Sequence, residues 1–451
     1  MAFPTLGRKH PHFILHKEQP LLCKKKCLTY WSDRTLRHDK LTSGFFWKVP
    51  VQCHKWVTGG FDGTGCDYSC TSHTCVNKRT KYLTDTTRLF EQTLFWSDAQ
   101  NASQKVFEHL KSGGAIGDIF LGDSASHKFS AFRRDITEEC GAEDKQHSWA
   151  VIEKREELIM YGPYYPNYIN GEHSEDIIIR QTQELLSSGD VPEDWKVYVF
   201  TMNSPCLARN TDSCMLSLIH KAWEWWSVFG VKTHIGFVRS WGFKGNKENL
   251  FKEVDYKQTK CIIQSVDYEN YIKVADKIAD LNLLCEDVFW VAKSMLGSEK
   301  ENFPMMTAEQ KQDRRSFFRG MNTVFEGKQE EEEEEKLLRK ELNAMLDAAE
   351  SLLSEQPARF EEHLAKGEVF LLSHTFSSQV FETLQEDLRV RFQQCWREIV
   401  QDRYAESVRE KLTEAFNQCT VQLFLKDILT FTGQYLQIGK LQLQNEAFKA
   451  V

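Results

Sequence analysis

Strand-like and helix-like segments alternate between residues 147 and 300, and this alternation limits the possible folds more than any other feature of the chain. Short apolar runs typical of strands occupy Trp149–Lys154, Leu158–Tyr165, Lys196–Met202, Val231–Val238 and Lys260–Val266. Amphipathic segments typical of helices occupy His173–Ser187, Met215–Phe229, Asn249–Tyr256 and Tyr268–Leu281. The pattern predicts an α/β fold in which a mixed five-stranded sheet is covered by helices on both faces, in three α/β/α layers.

Composition along the chain divides it into four segments. Residues 1–85 are Cys-rich and basic, and the first 80 carry 13 Lys and Arg against 5 Asp and Glu, a net charge of +8. Residues 86–298 hold the α/β pattern, and 299–335 form a polar, acidic linker that ends in Glu330–Glu335. Residues 336–451 read as a helical C-terminal region. Because the whole chain has a net charge of −8, the other three segments together are acidic.

The C-terminal region carries two apolar stripes at helical spacing. One stripe is Leu338, Leu342, Met345, Ala349 and Leu352, and the other is Phe381, Leu384, Leu388, Cys395 and Ile399. The simpler interpretation is a helical bundle that packs on its own chain. The alternative is a coiled coil that binds a protein partner or a second copy of the chain.

Composition also excludes several classes of protein. The chain has 451 residues, of which 41% are hydrophobic, so it can bury a large core and is not disordered throughout. It contains no apolar run of about 18 residues, so we expect no membrane span and no membrane partner. The first 20 residues have no continuous apolar core, which argues against a signal peptide. Together with an odd total of 13 cysteines, this predicts reduced thiols and a cytoplasmic and/or nuclear location.

The N-terminal segment concentrates cysteine. Its six cysteines are Cys23, Cys27, Cys53, Cys66, Cys70 and Cys75. In a reducing compartment they are candidates for a structural zinc site, although their spacing matches no standard zinc finger, and free thiols are the alternative. If the protein were exported, they would instead suggest three disulfides, for which fifteen pairings exist.

The residues with the clearest chemical meaning lie in two short stretches, 171–179 (GEHSEDIII) and 199–214 (VFTMNSPCLARNTDSC). His173 and Glu175 stand where a predicted helix begins, while Cys206 follows a strand and Cys214 precedes the next helix. One imidazole and two thiolates supply the three protein ligands of a catalytic zinc, which keeps its fourth position open for water. Glu175 is spaced to lie beside the metal, where it could act as a proton carrier.

These motifs resemble a known family. H-x-E followed by P-C and a second cysteine is similar to the signature of the zinc-dependent cytidine and adenosine deaminases. Within that superfamily the chain looks most like the AID/APOBEC polynucleotide cytidine deaminases, on the evidence of Ser204-Pro205-Cys206, FVRSW at 237–241 and CIIQSVDYENY at 261–271. The resemblance covers residues 149–281 and implies a cytidine-deaminase-like fold.

The resemblance also implies roles for individual residues. His173, Cys206 and Cys214 would bind zinc, and Glu175 would be the proton shuttle. Trp241 would pack on the target base, and Asn170 could contact sugar or base edge. Tyr161, Tyr164, Tyr165 and Tyr168 form an aromatic cluster before the helix, and they are interpreted either as a pocket wall that binds substrate, with Tyr168 the substrate-binding candidate, or as ordinary sheet packing.

The sequence departs from the family in two places. Seven residues separate Cys206 from Cys214, where the family has two to four, and we interpret residues 207–213 as a loop insertion before the helix. Asn203 stands where the family has Trp, which implies a different base pocket.

The predicted function is therefore zinc-dependent hydrolytic deamination of cytosine to uracil, with single-stranded DNA or RNA as the substrate. Two alternatives stay open from the sequence. The first is deamination of a free cytidine nucleoside or nucleotide, which the acidic body of the chain permits. The second is a catalytically inactive, zinc-stabilised scaffold that binds partners through its C-terminal helices.

Overall fold

The computed structural model describes residues 87–140, 145–154, 157–188, 194–209, 212–243, 250–278, 281–296, 302–306, 314–325, 332–377 and 380–442. Five strands form the sheet: β1 Ser148–Glu153, β2 Leu158–Tyr164, β3 Lys196–Asn203, β4 Lys232–Arg239 and β5 Leu436–Lys440. Their order across the sheet is β2-β1-β3-β4-β5. Strand β1 is antiparallel to β2 and to β3, whereas β3, β4 and β5 run parallel. The predicted mixed five-stranded α/β fold is confirmed.

Ten of the α-helices within the described ranges are labelled in chain order. They are α1 Ala99–Lys111, α2 Asp123–Cys140, α3 Ser174–Ser187, α4 Cys214–Phe229, α5 Tyr256–Gln264, α6 Tyr268–Ala275, α7 Glu286–Met295, α8 Glu332–Ala349, α9 Phe360–Ser373 and α10 Glu382–Thr432. Two 3-10 segments, Arg314–Phe325 and Glu350–Leu352, accompany them. Helix α10 has 51 residues, a length of about 77 Å at 1.5 Å per residue.

The two faces of the sheet pack into separate cores, because side chains along a strand point alternately to opposite sides. Val197 and Val199 of β3 join the core formed with helices α3, α4 and α10. Tyr198 and Phe200, which alternate with them, join the core formed with α2. Strand β1 divides its side chains in the same way. The sheet is therefore the middle layer of three.

The fifth strand is not the one predicted. Residues 260–266 were expected to be a strand, but Tyr256–Gln264 is helix α5. Its N-cap residue Asp255 accepts a hydrogen bond from the backbone N–H of Gln258 at 2.7 Å, and the buried residues Gln258, Cys261 and Ile262 recur at helical spacing. Residues 250–253, predicted within a helix, form turns.

Strand β5 comes instead from the end of the C-terminal region. After α10 the chain returns to the sheet, where Thr233 to Phe237 of β4 pair with Leu436 to Lys440. The free side of β5 is covered by the segment before α2, since Leu121 N–H donates to Lys440 O at 3.0 Å and Lys440 N–H donates to Ile119 O at 2.8 Å. The C-terminal region is helical as predicted, except for this strand. The four-segment division of the chain stays a prediction.

The apolar stripes of the C-terminal region are largely buried within the chain. Leu338, Leu342, Met345 and Ala349 are buried, as are Leu388, Cys395 and Ile399, whereas Phe381 is exposed. The buried members contact other parts of the same chain, as in the self-packed bundle. Binding of a partner or a second copy through these helices stays a prediction. No helix in the described part of the chain combines the length and apolar character needed to cross a bilayer.

The position of β5 against residues 120 and 121 can be tested at Gly439. A Cβ atom at Gly439 would lie 2.7 Å from the carbonyl carbon of Phe120 and closer still to the backbone N of Leu121. Because backbone atoms cannot rotate away, we expect Gly439→Ala to destabilise the protein by about 1–3 kcal/mol, measured by chemical denaturation. The control is Gly122→Ala, where nothing lies within 4 Å of the added Cβ. Equal stability of the two variants would contradict the placement of β5.

Candidate active site

His173 is held at the start of helix α3 by a reciprocal cap. It is the N-cap residue, with extended backbone, and its N–H donates to Asp176 Oδ2 at 2.9 Å. Asp176 is the third residue of the helix, where a carboxylate is also favoured by the helix dipole. The cap fixes the backbone at His173 while its half-buried imidazole faces the two cysteines.

The two cysteines come from the loop after β3 and from the start of α4. Cys206 follows β3 by three residues, and Cys214 is the first residue of α4. A hydrogen bond from Met215 N–H to Cys206 O, 3.1 Å long, ties the loop to the helix. Both side chains are buried. Parallel pairing of β3 with β4, together with the packing of α4 on α3, brings both helix starts to one edge of the sheet.

The three side chains converge on one point. His173 Nδ1 lies 3.3 Å from Cys214 Sγ and 3.7 Å from Cys206 Sγ, and the three donor atoms lie within 4.8 Å of one another. Ideal tetrahedral zinc would separate a nitrogen from a sulfur ligand by about 3.6 Å. The observed separations are within a few tenths of that distance. Among the described residues, this is the one group of three or more His, Cys, Asp or Glu that could hold a metal ion.

Hydrogen bonding between the two cysteines shifts their pKa values in opposite directions. A hydrogen bond from the Cys214 thiol lowers the pKa of Cys206 to about 5, and the His173 imidazole acts in the same direction. The same interaction with Cys206 raises the pKa of Cys214. The hydrogen bond with Cys206 also raises the pKa of His173. Metal ligation requires thiolates and a neutral imidazole, so binding a divalent ion would release protons from this group.

Glu175 is buried next to this cluster and is held through both carboxylate oxygens. Its Oε1 accepts a hydrogen bond at 3.2 Å from Thr201 Oγ1, a hydroxyl that it shares with the carbonyl oxygen of Asn203 at 2.8 Å. The same oxygen of Glu175 lies 3.5 Å from Gln146 Nε2. Its Oε2 accepts from Ser174 Oγ at 3.2 Å. Burial raises the pKa of Glu175, and the nearby Cys206 thiolate acts in the same direction. A carboxyl group of this kind holds a proton more readily than one in water.

The strand register explains why these hydroxyls meet Glu175. Ser148 of β1 pairs directly with Thr201 of β3. Ser148 Oγ lies 2.7 Å from Ser174 Oγ, which reaches one oxygen of Glu175, and Thr201 reaches the other. Two adjacent strands therefore orient one carboxylate.

The other predicted substrate contacts lie outside the group of ligands. Trp241 is half-buried after β4, and its backbone N–H donates to Ser204 Oγ at 2.9 Å. Tyr168 and Asn170 are exposed in a tight turn closed by Asn167 N–H donating to Glu172 O at 2.8 Å. The roles assigned to these residues and to the four main site residues stay predictions.

The tyrosine cluster is partly buried and partly exposed. Tyr161 is buried, and its hydroxyl lies 2.6 Å from Thr182 Oγ1, as in ordinary packing. Tyr165 and Tyr168 are 44% and 63% exposed, so their rings are accessible to a ligand. The six N-terminal cysteines, Cys23, Cys27, Cys53, Cys66, Cys70 and Cys75, lie outside the described residues.

Sequence reasoning missed four residues that support the site: Gln146, Asp176, Thr201 and Arg209. Asp176 had a detectable signal, since a carboxylate three positions after an N-cap is a capping pattern. Gln146 and Thr201 depend on strand register, which the sequence did not define. Arg209 lies in the loop interpreted as an insertion, and its Nη1 is 2.9 Å from Asp176 Oδ2 and 3.4 Å from Cys214 Sγ.

The helix that begins at H-x-E and the P-C loop lie together, as the resemblance to AID/APOBEC-like deaminases predicts. The chain belongs to the family described as Secreted Novel AID/APOBEC-like Deaminase 3, whose family model matches residues 58–438. The predicted resemblance is thereby confirmed. Neither a curated protein nor a solved structure matches the chain.

The family corrects one prediction. Its members are described as secreted, so the predicted cytoplasmic and/or nuclear location is wrong. That prediction rested on the absence of an apolar leader pattern and on an odd number of cysteines, and neither feature determines the compartment by itself. In an exported protein, the alternative for the N-terminal cysteines is three disulfides. Of the cysteines whose side chains the structure describes, six are free thiols.

The metal centre can be tested by metal content. We expect Cys206→Ala and Cys214→Ala each to lower bound zinc by one equivalent per chain relative to the wild type, because two remaining ligands hold zinc weakly. Zinc is measured by mass spectrometry of the purified protein after dialysis. Cys419→Ala, which removes a thiol that is also buried but lies on α10, should keep the wild-type content. Unchanged zinc in both ligand variants would contradict the site.

Proposed function

We propose that the protein is a zinc-dependent hydrolytic deaminase that converts cytosine to uracil in single-stranded nucleic acid. The observation that carries this proposal is the convergence of His173, Cys206 and Cys214 beside the buried carboxyl group of Glu175. The first three offer the ligand set of a catalytic zinc, and the fourth offers a proton carrier that is not itself in that set. Membership in a deaminase family supports the reaction class.

Zinc held by the three ligands would supply a Lewis acid that makes water acidic enough to act as a nucleophile near neutral pH. Glu175 would take one proton from the attacking water and deliver it to the ring nitrogen of cytosine. It would then take the second proton from the same oxygen and deliver it to the amino group, which leaves as ammonia. The overall reaction consumes water and releases ammonia. Thr201 and Ser174 hold the carboxylate in place by hydrogen bonds to different oxygens, so it need not reorganise between the two transfers.

Features around the site support a polynucleotide as substrate. The turn immediately before His173 presents Tyr168 and Ile169, which are 63% and 96% exposed. Arg239 is exposed at the end of β4, directly paired with Asn203 at the end of β3. Exposed aromatic rings stack on bases, and exposed cations attract phosphates. A single strand is required because a duplex hides the amino group of cytosine.

Within this proposal, Trp241 and Asn170 would contact the target nucleotide, as the family resemblance implies. Asn203 replaces the Trp that the family has before P-C, and it pairs with Arg239 across the two strands. With Asn in place of Trp, this position would offer a polar side chain to the target base.

The catalytic role of Glu175 is tested by Glu175→Gln, which keeps the size of the side chain and removes its ability to carry a proton. We expect loss of about 10²- to 10⁴-fold in deamination rate, with zinc retained. The assay incubates cytosine-containing DNA and RNA oligonucleotides, and separately free cytidine and its monophosphate, and detects uracil. Glu172→Gln is the control, because Glu172 pairs with Arg180 at the surface.

The outcomes of this assay separate the alternatives. Conversion of free cytidine or its monophosphate but not of oligonucleotides would replace the polynucleotide proposal with a nucleotide deaminase. A zinc-loaded protein that converts none of the substrates would support the inactive scaffold. Equal activity of Glu175→Gln and wild type would contradict the mechanism.

Tyr168 is tested by binding. We expect Tyr168→Ala, in the Glu175→Gln background, to weaken binding of single-stranded oligonucleotides by about 5- to 150-fold, because stacking on one base contributes about 1–3 kcal/mol. Fluorescence anisotropy measures the dissociation constant at fixed salt. Leu372→Ala is the control, since Leu372 is 88% exposed but lies on helix α9. If Glu175→Gln protein binds with the same affinity alone, with Tyr168→Ala and with Leu372→Ala, then Tyr168 does not stack on substrate.

A further inference from the structure

Arg209 links two of the candidate metal ligands. Its Nη1 donates to Asp176 Oδ2 at 2.9 Å and lies 3.4 Å from Cys214 Sγ. The same oxygen of Asp176 accepts the backbone N–H of His173 at 2.9 Å. A continuous chain of hydrogen bonds therefore runs from the backbone of His173 through Asp176 and Arg209 to the sulfur of Cys214.

This chain is shielded from solvent. The side chains of Arg209 and Asp176 are 18% and 27% exposed, and Cys214 is fully buried. A charge-assisted hydrogen bond is stronger in such surroundings than at a surface. The rigid guanidinium fork also fixes direction, because its N–H groups lie in one plane.

Acidic side chains lie close to Cys214. Two thiolates neutralise a divalent ion, and the carboxylates of Asp176 and Glu175 follow one another at the start of α3. Arg209 adds a permanent positive charge at hydrogen-bond distance from one thiolate and one of these carboxylates. Arg209 lies between the two cysteines, three residues after Cys206.

We propose that Arg209 is a positioning residue for the metal: paired with Asp176, it orients the Cys214 sulfur and offsets the negative charge of the ligand set. The inference rests on the proposed zinc site, not on deaminase activity. It gives the long loop between the two cysteines a function, since the loop carries the partner of Cys214. Partners of this kind change metal affinity by about 10- to 100-fold when they are lost.

The direct test measures how fast zinc leaves the protein. Zinc-loaded wild type, Arg209→Met, Arg209→Lys and the control Arg180→Met are mixed with a chromogenic chelator, and zinc transfer is followed over time. Arg180 pairs with Glu172 on the outer part of α3, so its loss removes a surface ion pair from the same helix. We expect Arg209→Met to release zinc about 10- to 100-fold faster than wild type, Arg209→Lys to fall between them, and Arg180→Met to match wild type.

Cobalt provides a readout that a merely structural role would not change. In protein loaded with Co²⁺ alone, the absorption of the thiolate–cobalt bonds reports hydrogen bonding to sulfur. We expect this band to shift in Arg209→Met and not in Arg180→Met. We also expect Asp176→Asn combined with Arg209→Met to release zinc no faster than the more affected single variant, since both act through one chain of hydrogen bonds.

The outcomes distinguish this inference from the proposed function. Wild type that holds zinc tightly, with Arg209→Met unchanged in zinc release and in the cobalt band, would overturn the role of Arg209 and leave the zinc site intact. Wild type without a zinc equivalent dependent on Cys206 would overturn both. Faster zinc release from Arg209→Met in a protein that converts no cytosine would support the role of Arg209 and contradict the enzyme.

Discussion

The packing of helices α3 and α4 side by side on one face of the sheet is the constraint on which the candidate site depends. Each helix begins at the same edge, one with His173 and the other with Cys214. The residues that hold them there are apolar and far from the chemistry: Ile178 and Leu186 of α3 share a buried core with Leu218 and Ile219 of α4. A shift of one helix by a single turn, about 5.4 Å, would separate the imidazole from the thiols. The relative positions of the three ligands therefore depend on how the two helices pack in the core.

Two different sets of contacts position the metal ligands and the proton carrier. The ligands are tied to one another across the helix starts, through Asp176, Arg209 and the bond from Met215 N–H to Cys206 O. Glu175 is tied instead to the sheet, through Thr201 and the pair Ser148–Ser174. Strand β3 supplies Thr201 and leads into the loop that carries Cys206. The contacts of the metal ligands and the contacts of Glu175 therefore both depend on this strand. Glu175 on helix α3 and Cys206 in the loop after β3 are thereby both positioned by the same strand.

Much of the fold and the principal site residues could be predicted from the sequence, because they depend on local patterns. Short apolar runs indicated β1 to β4, and helical spacing indicated α4. The fifth strand could not be placed. Lys260–Val266 is a short apolar run that fits a strand or a buried helix equally well, and its outcome was decided by the cap at Asp255. Leu436–Lys440 has only five residues and follows the end of a 51-residue helix at Thr432. It is a strand because it pairs with residues of β4 that lie 203 positions earlier in the chain. Arg209 was missed for a related reason, since a loop contact across two helix starts leaves no periodic signal.

The late strand and the helix before it are part of the support of the site. The loop after Cys206 is hydrogen-bonded to the chain after β4, with Leu207 N–H donating to Gly242 O at 3.0 Å and Ala208 N–H donating to Phe243 O at 3.2 Å. Gly242 has positive φ, and a Cβ there would lie 2.9 Å from Asn417 Oδ1 of α10. The ring of Phe243 packs against Phe416 of the same helix, with ring centroids 6.5 Å apart. Helix α10 thus backs the segment that holds the Cys206 loop, while β5 anchors the end of α10 in the sheet. Residues of α10 therefore contact the segment that is hydrogen-bonded to the Cys206 loop, and the C-terminal region helps to hold that loop in place.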